Sequence, residues 1–161
     1  MSAEIAREKY NKARRDYEKL VLRNKRIEIE APRLWKELKE TLRHYADEFN
    51  SEFTDLALEN LPIIISVDDK DIKIKTGCNP VGQTPVQMTV TFMLYKESIE
   101  CQTDDPKNRM AHIKPPDSIY FDMSRDGTVY FTQGDSVLCV QDAAKSLLLP
   151  FFRCAGLENL F

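Results

Sequence analysis

An apolar stripe at helical spacing runs through the first third of the chain, and no glycine interrupts residues 1–61. Apolar or aromatic residues recur every three or four positions, which places them on one face of an α-helix. The stripe consists of Ala6, Tyr10, Ala13, Tyr17, Leu20, Ile27, Ala31, Leu34, Leu38, Leu42, Tyr45, Phe49 and Phe53, with Asn24 in its one gap. The residues between them are mostly Glu, Lys, Arg and Ala, which favour helix. A long amphipathic helix is therefore predicted.

Pro32 lies in the middle of this helical pattern. Its ring removes one backbone hydrogen bond and disfavours helical backbone angles at Ala31. We expect the helix to be kinked or broken there. A tight hairpin at Glu30–Arg33 is an alternative, with Pro32 opening a second helix, although the junction lacks Gly, Asn and Ser.

Beyond Leu61 the pattern changes to short β-strands separated by turns. Strands are predicted at 62–67, 72–75, 86–97 with a continuation over 98–102, 118–122, 128–132 and 136–140. The Asp126-Gly127 pair is a strong hairpin signal between two of them. Asp142 is then expected to cap a short helix that runs toward Pro150.

Helices at both ends of a hairpin-linked sheet are typical of an α+β domain with one sheet face covered by helix. The 161 residues fit one domain. We divide it into a helical segment at 1–60, an antiparallel meander at 61–140, a short helix at 141–152 and a tail at 153–161. The predicted core comprises Trp35, Leu38, Leu42, Tyr45 and Phe49 against Ile63, Ile65, Val90, Phe92, Leu94, Ile119 and Phe121.

The net charge of −3 conceals a strong polarity along the helical third. Residues 1–26 carry nine cations and four anions, a net charge of +5. Residues 27–60 carry four cations and nine anions, a net charge of −5. Opposite halves attract when two such segments lie antiparallel, either as a hairpin about Pro32 or as two copies crossing near residues 28–32.

A basic stripe accompanies the apolar one and comprises Lys12, Arg15, Lys19, Arg23 and Arg26. Such a stripe is able to bind nucleic acid through phosphates, or to pair with an acidic helix, or simply to face solvent. The charge reversal favours helix pairing, with Asn24 helping to set the register. The candidate pairing residues are Tyr10, Lys12, Arg15, Tyr17, Lys19, Leu20, Arg23, Ile27 and Leu34.

Other candidate sites are weak. The loop at 77–82 lacks the Lys-Ser/Thr ending of a phosphate loop, and Pro80 removes a backbone donor. His44 and His112 are far apart and have no Cys-x-x-Cys partner, so a structural metal is not expected. Cys78 is interpreted as a packing residue. No cofactor is predicted.

The composition and patterning favour a non-catalytic interaction protein, a homodimer or a binder of another protein through its first helix. The alternatives are a nucleic-acid-associated accessory protein that uses the basic stripe and a small enzyme with a site between helix and sheet. No apolar run reaches the length of a membrane span, and charge near Met1 does not fit a signal peptide. With four scattered cysteines, these features predict the cytoplasm.

Overall fold

The computed structural model describes residues 2–53, 63–67, 71–78, 86–104 and 116–154. The elements are α1 (Ala3–Phe53), β1 (Ile63–Val67), β2 (Asp71–Cys78), β3 (Val86–Leu94), β4 (Ser98–Asp104), β5 (Ile119–Met123), β6 (Val129–Gln133), β7 (Ser136–Leu138) and α2 (Val140–Cys154). The predicted order of helix, sheet and short helix, and with it the α+β class, is confirmed. The tail at 155–161 lies outside the described residues.

Helix α1 continues without interruption through Pro32, so the predicted break and the hairpin about this residue are wrong. The proline costs one hydrogen bond, the one that the carbonyl of Glu28 would accept. Contacts on both sides compensate, because Ala31, Leu34 and Trp35 are all buried in the core. On the exposed side, Arg33 forms ion pairs with Glu30 and Glu37. Tertiary packing thus outweighs the local preference of one residue.

The seven strands form one antiparallel meander in which each strand pairs with its neighbours in the chain. The register places Ile72 beside Phe92 and Phe121 beside Phe131, so these side chains share the face that α1 and α2 cover. Strands β4 and β5 pair only at Ser98–Tyr120 and Ile99–Ile119. On the opposite face, Tyr120 is 53% exposed. Among the described residues, the helices cover one face of the sheet, and Tyr120 is exposed on the other.

The β5–β6 hairpin has the turn that its Asp-Gly pair predicts. Gly127 adopts a left-handed φ of 86°, and its N–H donates to the carbonyl of Ser124 at 3.0 Å. The carboxylate of Asp126 accepts a hydrogen bond from the N–H of Thr128 at 3.0 Å. The turn places this end of the sheet against α1.

The core is apolar and draws on both helices and on the sheet. Trp35, Leu38, Leu42, Phe92, Ile119 and Phe121 are buried as predicted, while Tyr45 and Leu94 are half-buried at its edge. Helix α2 contributes Ala143, Ala144, Leu147 and Leu148. It begins at Val140, two residues before the predicted cap at Asp142, and Cys139 accepts hydrogen bonds from its first turn. The side chains of Phe49, Ile63, Ile65 and Val90 lie outside the described set.

Candidate helix-pairing surface

Helix α1 has two parts that differ in burial. Residues 2–22 are all exposed, Arg23 is half-buried, and Ile27 is the first residue with no exposed surface. We name Ala3–Leu22 the free segment; it is about 30 Å long at 1.5 Å per residue. The remainder of α1 contacts β1, β5, β6 and α2. The helix thus extends well beyond the domain that anchors it.

The free segment carries large apolar side chains on one face. Tyr10 is 68% exposed, Tyr17 67% and Leu20 50%. Ala3, Ala6 and Ala13 lie on the same face and are also exposed. At 100° per residue, this face lies about 30° from the face that packs on the sheet from Ile27 onward. One continuous stripe is therefore covered by the sheet in its second half and uncovered in its first.

Two of the candidate pairing residues belong to the covered half. Ile27 has no exposed surface and Leu34 is 7% exposed, and both lie in the core cluster. They contact the chain's own domain and are unavailable to a second helix. A crossing of two copies near residues 28–32 would have to displace that domain. The surface that remains for a partner consists of Tyr10, Tyr17 and Leu20.

Arg23 connects α1 to the β5–β6 hairpin through hydrogen bonds and an ion pair. Its Nε lies 3.0 Å from Oδ1 of Asp122, and its Nη2 donates to the carbonyl of Phe121 at 3.3 Å. Nη1 lies 3.9 Å from a carboxylate oxygen of Glu97. One residue later, Asn24 is exposed and accepts a hydrogen bond from Arg23 at 3.1 Å. Arg23 therefore marks the boundary of the domain and is a structural anchor.

The ion pair between Arg23 and Asp122 predicts that the protein loses stability at acidic pH. Burial raises the pKa of Asp122, but the hydrogen bonds from the N–H of Met123 and from Arg23 outweigh it, so the pKa lies below its ordinary 3.8. A carboxyl group with a lowered folded-state pKa stabilises the fold above the ordinary value, and this contribution is lost as the pH falls through the folded pKa. Arg23→Ala should flatten the fall in unfolding free energy below about pH 4.

The matched control is Arg15→Ala, because Arg15 is exposed and donates to the carbonyl of Asn11 within its own helix. Urea unfolding at a series of pH values measures both variants. An unchanged pH dependence in Arg23→Ala would contradict a stabilising pair with Asp122.

The other basic candidates face solvent. Lys12, Arg15 and Lys19 are exposed and lie about 140° around the helix from the apolar stripe. Arg14, on the flank of that stripe, forms an ion pair with Glu18 at 3.0 Å. A partner on the apolar stripe would leave the three basic residues uncovered.

The described residues that α1, α2 and the sheet bury between them are apolar. Ser98 is the one buried polar residue among the described positions, and its pairing with Tyr120 places it on the sheet face opposite the helices. His44 lies 3.4 Å from Glu48 on the exposed side of α1, and the described residues contain no cluster of three metal-ligating side chains. His112 and the loop at 79–85 lie outside the described residues, as does the side chain of Cys78. The described helices include none that is apolar over the length of a membrane span.

The free segment also has an exposed leucine on its opposite face. Leu22 is 65% exposed, and Ile29 follows it at 68% one heptad later. These residues and the small residues Ala3, Ala6 and Ala13 were not in the candidate set. The sequence signal for the alanines was their heptad spacing with the large residues of the stripe. Comparison with protein-family models, curated proteins and solved structures finds no match to this chain.

Proposed function

We propose that this protein is a non-catalytic, self-associating protein of the cytoplasm, in which the free segments of two copies form a short coiled coil. The observation that carries the proposal is the exposure of Tyr10, Tyr17 and Leu20 on one face of a helix that extends beyond its domain. Clustered apolar residues rimmed by charge are typical of an interaction surface. The cytoplasmic location is proposed from the four scattered cysteines.

The folded domain stabilises the free segment as a helix before a second copy binds. A helix of this length is marginal in isolation because its first turn is costly to form. Here the turns after Arg23 are already held by the core, so the free segment only extends an existing helix. Part of the entropy lost on binding is therefore already lost in the folded monomer.

The size of the surface suggests a modest affinity. Full burial of a Leu- or Phe-sized side chain gains about 1.5–3 kcal/mol, so six such side chains in a dimer contribute on the order of 10 kcal/mol. Association itself costs about 4–15 kcal/mol. A micromolar dimer corresponds to about −8 kcal/mol, so it requires an association cost near the lower end of this range, which the preformed helix of the free segment favours.

Nucleic-acid binding through Lys12, Arg15 and Lys19 is the second candidate. These residues are exposed on one side of the free segment, as phosphate contacts require. However, the free segment holds six cations and four anions, and Arg23 and Arg26 of the basic stripe contact the β5–β6 hairpin. The net positive charge available to phosphate is small, which favours pairing.

Light scattering coupled to size exclusion tests the proposal, with paired leucine variants. At tens of micromolar the chain should show twice the mass of 18.7 kDa. Leu20→Glu places a charge in the apolar stripe and should give the monomer. Leu22→Glu is the control, because Leu22 is an exposed leucine on the opposite face, at 65% against 50% for Leu20, and its replacement should leave the dimer intact.

Circular dichroism must show that both variants keep the helical content of the parent. A monomeric parent would overturn the proposal, and salt-sensitive binding of that monomer to RNA or DNA would favour the second candidate. Equal effects of the two glutamate variants would also contradict the assignment of the apolar face.

A further inference from the structure

We infer that the second copy binds antiparallel, in the register that sets Tyr10, Tyr17 and Leu20 of each copy against Ala13, Ala6 and Ala3 of the other. This inference rests on the proposed self-association and specifies its geometry. The structure contributes three independent constraints: the order of large and small residues, the flanking charges, and the place where the domain begins.

The stripe on the free segment combines three small and three large side chains in a heptad spacing, with the small ones nearer its start and the large ones nearer its end. Its members are Ala3, Ala6, Tyr10, Ala13, Tyr17 and Leu20, separated alternately by three and four residues. In the antiparallel register every large residue faces an alanine, so each layer has a similar volume. A parallel in-register pair would instead stack Tyr10 on Tyr10 and Ala13 on Ala13. Interdigitation of large and small residues is what a close-packed helix pair requires.

The charges on one flank of the stripe favour this register. Lys9 lies on one flank and faces Asp16 of the second copy, which gives two attractive pairs by symmetry. On the other flank Arg7 faces Arg14, which gives two like-charge contacts by the same symmetry; each Arg14 is paired with Glu18 of its own helix at 3.0 Å, which reduces their repulsion. A parallel pair would instead bring Lys9 next to Arg14 of the second copy and would leave both attractive Lys9–Asp16 pairs unformed.

The domain sets the length of the overlap. In this register Ala3 of one copy lies level with Leu20 of the other, just before Arg23 and its contacts with the hairpin. Sliding the copies one heptad further together would place Ala3 level with Ile27, which the domain covers completely. That register would also set Lys9 against Arg23 and Asp16 against Asp16. The chosen overlap is the longest one that fits between the two domains.

Parallel pairing also conflicts with the domains. Because the apolar stripe and the sheet lie on the same side of α1, two parallel copies would direct both sheets into the gap between their helices. Paired helices are about 8–10 Å apart, whereas each sheet lies on the order of 10 Å from the layer that it packs on. Helix α1 continues past Arg23 and Pro32 without a break that would let the copies diverge. In the antiparallel dimer the two domains lie at opposite ends.

Distance measurements between nitroxide labels test the geometry and the association separately. A ketone-bearing residue at position 12 or 25 carries the label, so the four native cysteines remain. Lys12 and Lys25 are both exposed. Position 12 lies near the centre of the overlap and should give a short distance in either orientation. Position 25 should give about 40 Å in the antiparallel register, against less than about 20 Å in a parallel pair.

Each outcome tests one part of the proposal: the self-association, the orientation or the register. An absence of coupling at position 12 overturns the self-association itself. Short distances at both positions leave the association intact and overturn the antiparallel orientation. A distance near 30 Å at position 25 indicates overlap by one more heptad and overturns the register.

A charge exchange provides a second readout. Lys9→Glu should weaken the antiparallel dimer about tenfold, because both pairs with Asp16 become repulsive. Adding Asp16→Lys restores two attractive pairs and should recover the affinity. In a parallel dimer Lys9→Glu would instead relieve the repulsion with Arg14 and strengthen the association. Strengthening, or a failure of the double variant to recover, contradicts the register; circular dichroism checks that helix content is unchanged.

Discussion

Replacing Trp35 by alanine is expected to lower the free energy of unfolding by about 3–5 kcal/mol. The side chain is 2% exposed and lies in the core cluster between α1 and the rest of the domain. Its removal leaves a cavity that the surrounding Ile, Leu and Phe side chains fill only in part. A loss of this size is a large fraction of the stability of a domain of this length. Because Trp35 is the chain's single tryptophan, urea unfolding is followed by far-UV circular dichroism.

Replacing Trp35 by phenylalanine separates the effect of core packing from that of the buried indole N–H. The Nε1 of Trp35 is buried, and no hydrogen-bond partner is found for it among the described residues. A buried unpaired N–H costs about 1–3 kcal/mol, so Trp35→Phe loses some packing but also removes a penalty. We expect Trp35→Phe to cost less than about 1.5 kcal/mol. A loss below about 1 kcal/mol in Trp35→Ala would place the indole outside the core.

Replacing Pro32 by alanine is expected to raise the free energy of unfolding by about 2 kcal/mol, whereas Trp35→Ala lowers it. Pro32 is exposed inside a continuous helix, so no side-chain contact in the core is lost. Alanine supplies the N–H that the carbonyl of Glu28 lacks and removes the clash of the ring with that turn. The gain is reduced by about 0.4–1 kcal/mol because proline also restricts the unfolded chain.

Lys36→Ala is the control for both stability predictions, since Lys36 is exposed on the same helix one turn later. It should change the free energy of unfolding by less than about 0.5 kcal/mol. All variants are compared at one protein concentration, because self-association adds to apparent stability. A destabilised Pro32→Ala variant would mean that the proline geometry itself is needed where α1 packs on the sheet.

Local sequence signals predicted most of the architecture. The period of three and four residues predicted α1, and the alternating strands with their turn at Asp126-Gly127 predicted the hairpins of the meander. These features depend on residues only a few positions apart, so they can be predicted from the sequence directly. The predicted break at Pro32 was wrong because only the local cost of the proline can be read from the sequence. The contacts of Ala31 and Trp35 that outweigh this cost are made with residues far away in the chain.

The extent of the candidate surface was decided only by the tertiary structure. Leu20 and Ile27 occupy equivalent positions on the same stripe, yet Leu20 is 50% exposed and Ile27 has no exposed surface. The spacing of apolar residues determines which face of a helix must be covered, and it does so equally in both halves of α1. What covers that face depends on where the sheet and α2 pack, and this packing begins at Arg23. The sequence by itself therefore determined an apolar face, and the fold determined which part of it remains open to a second copy.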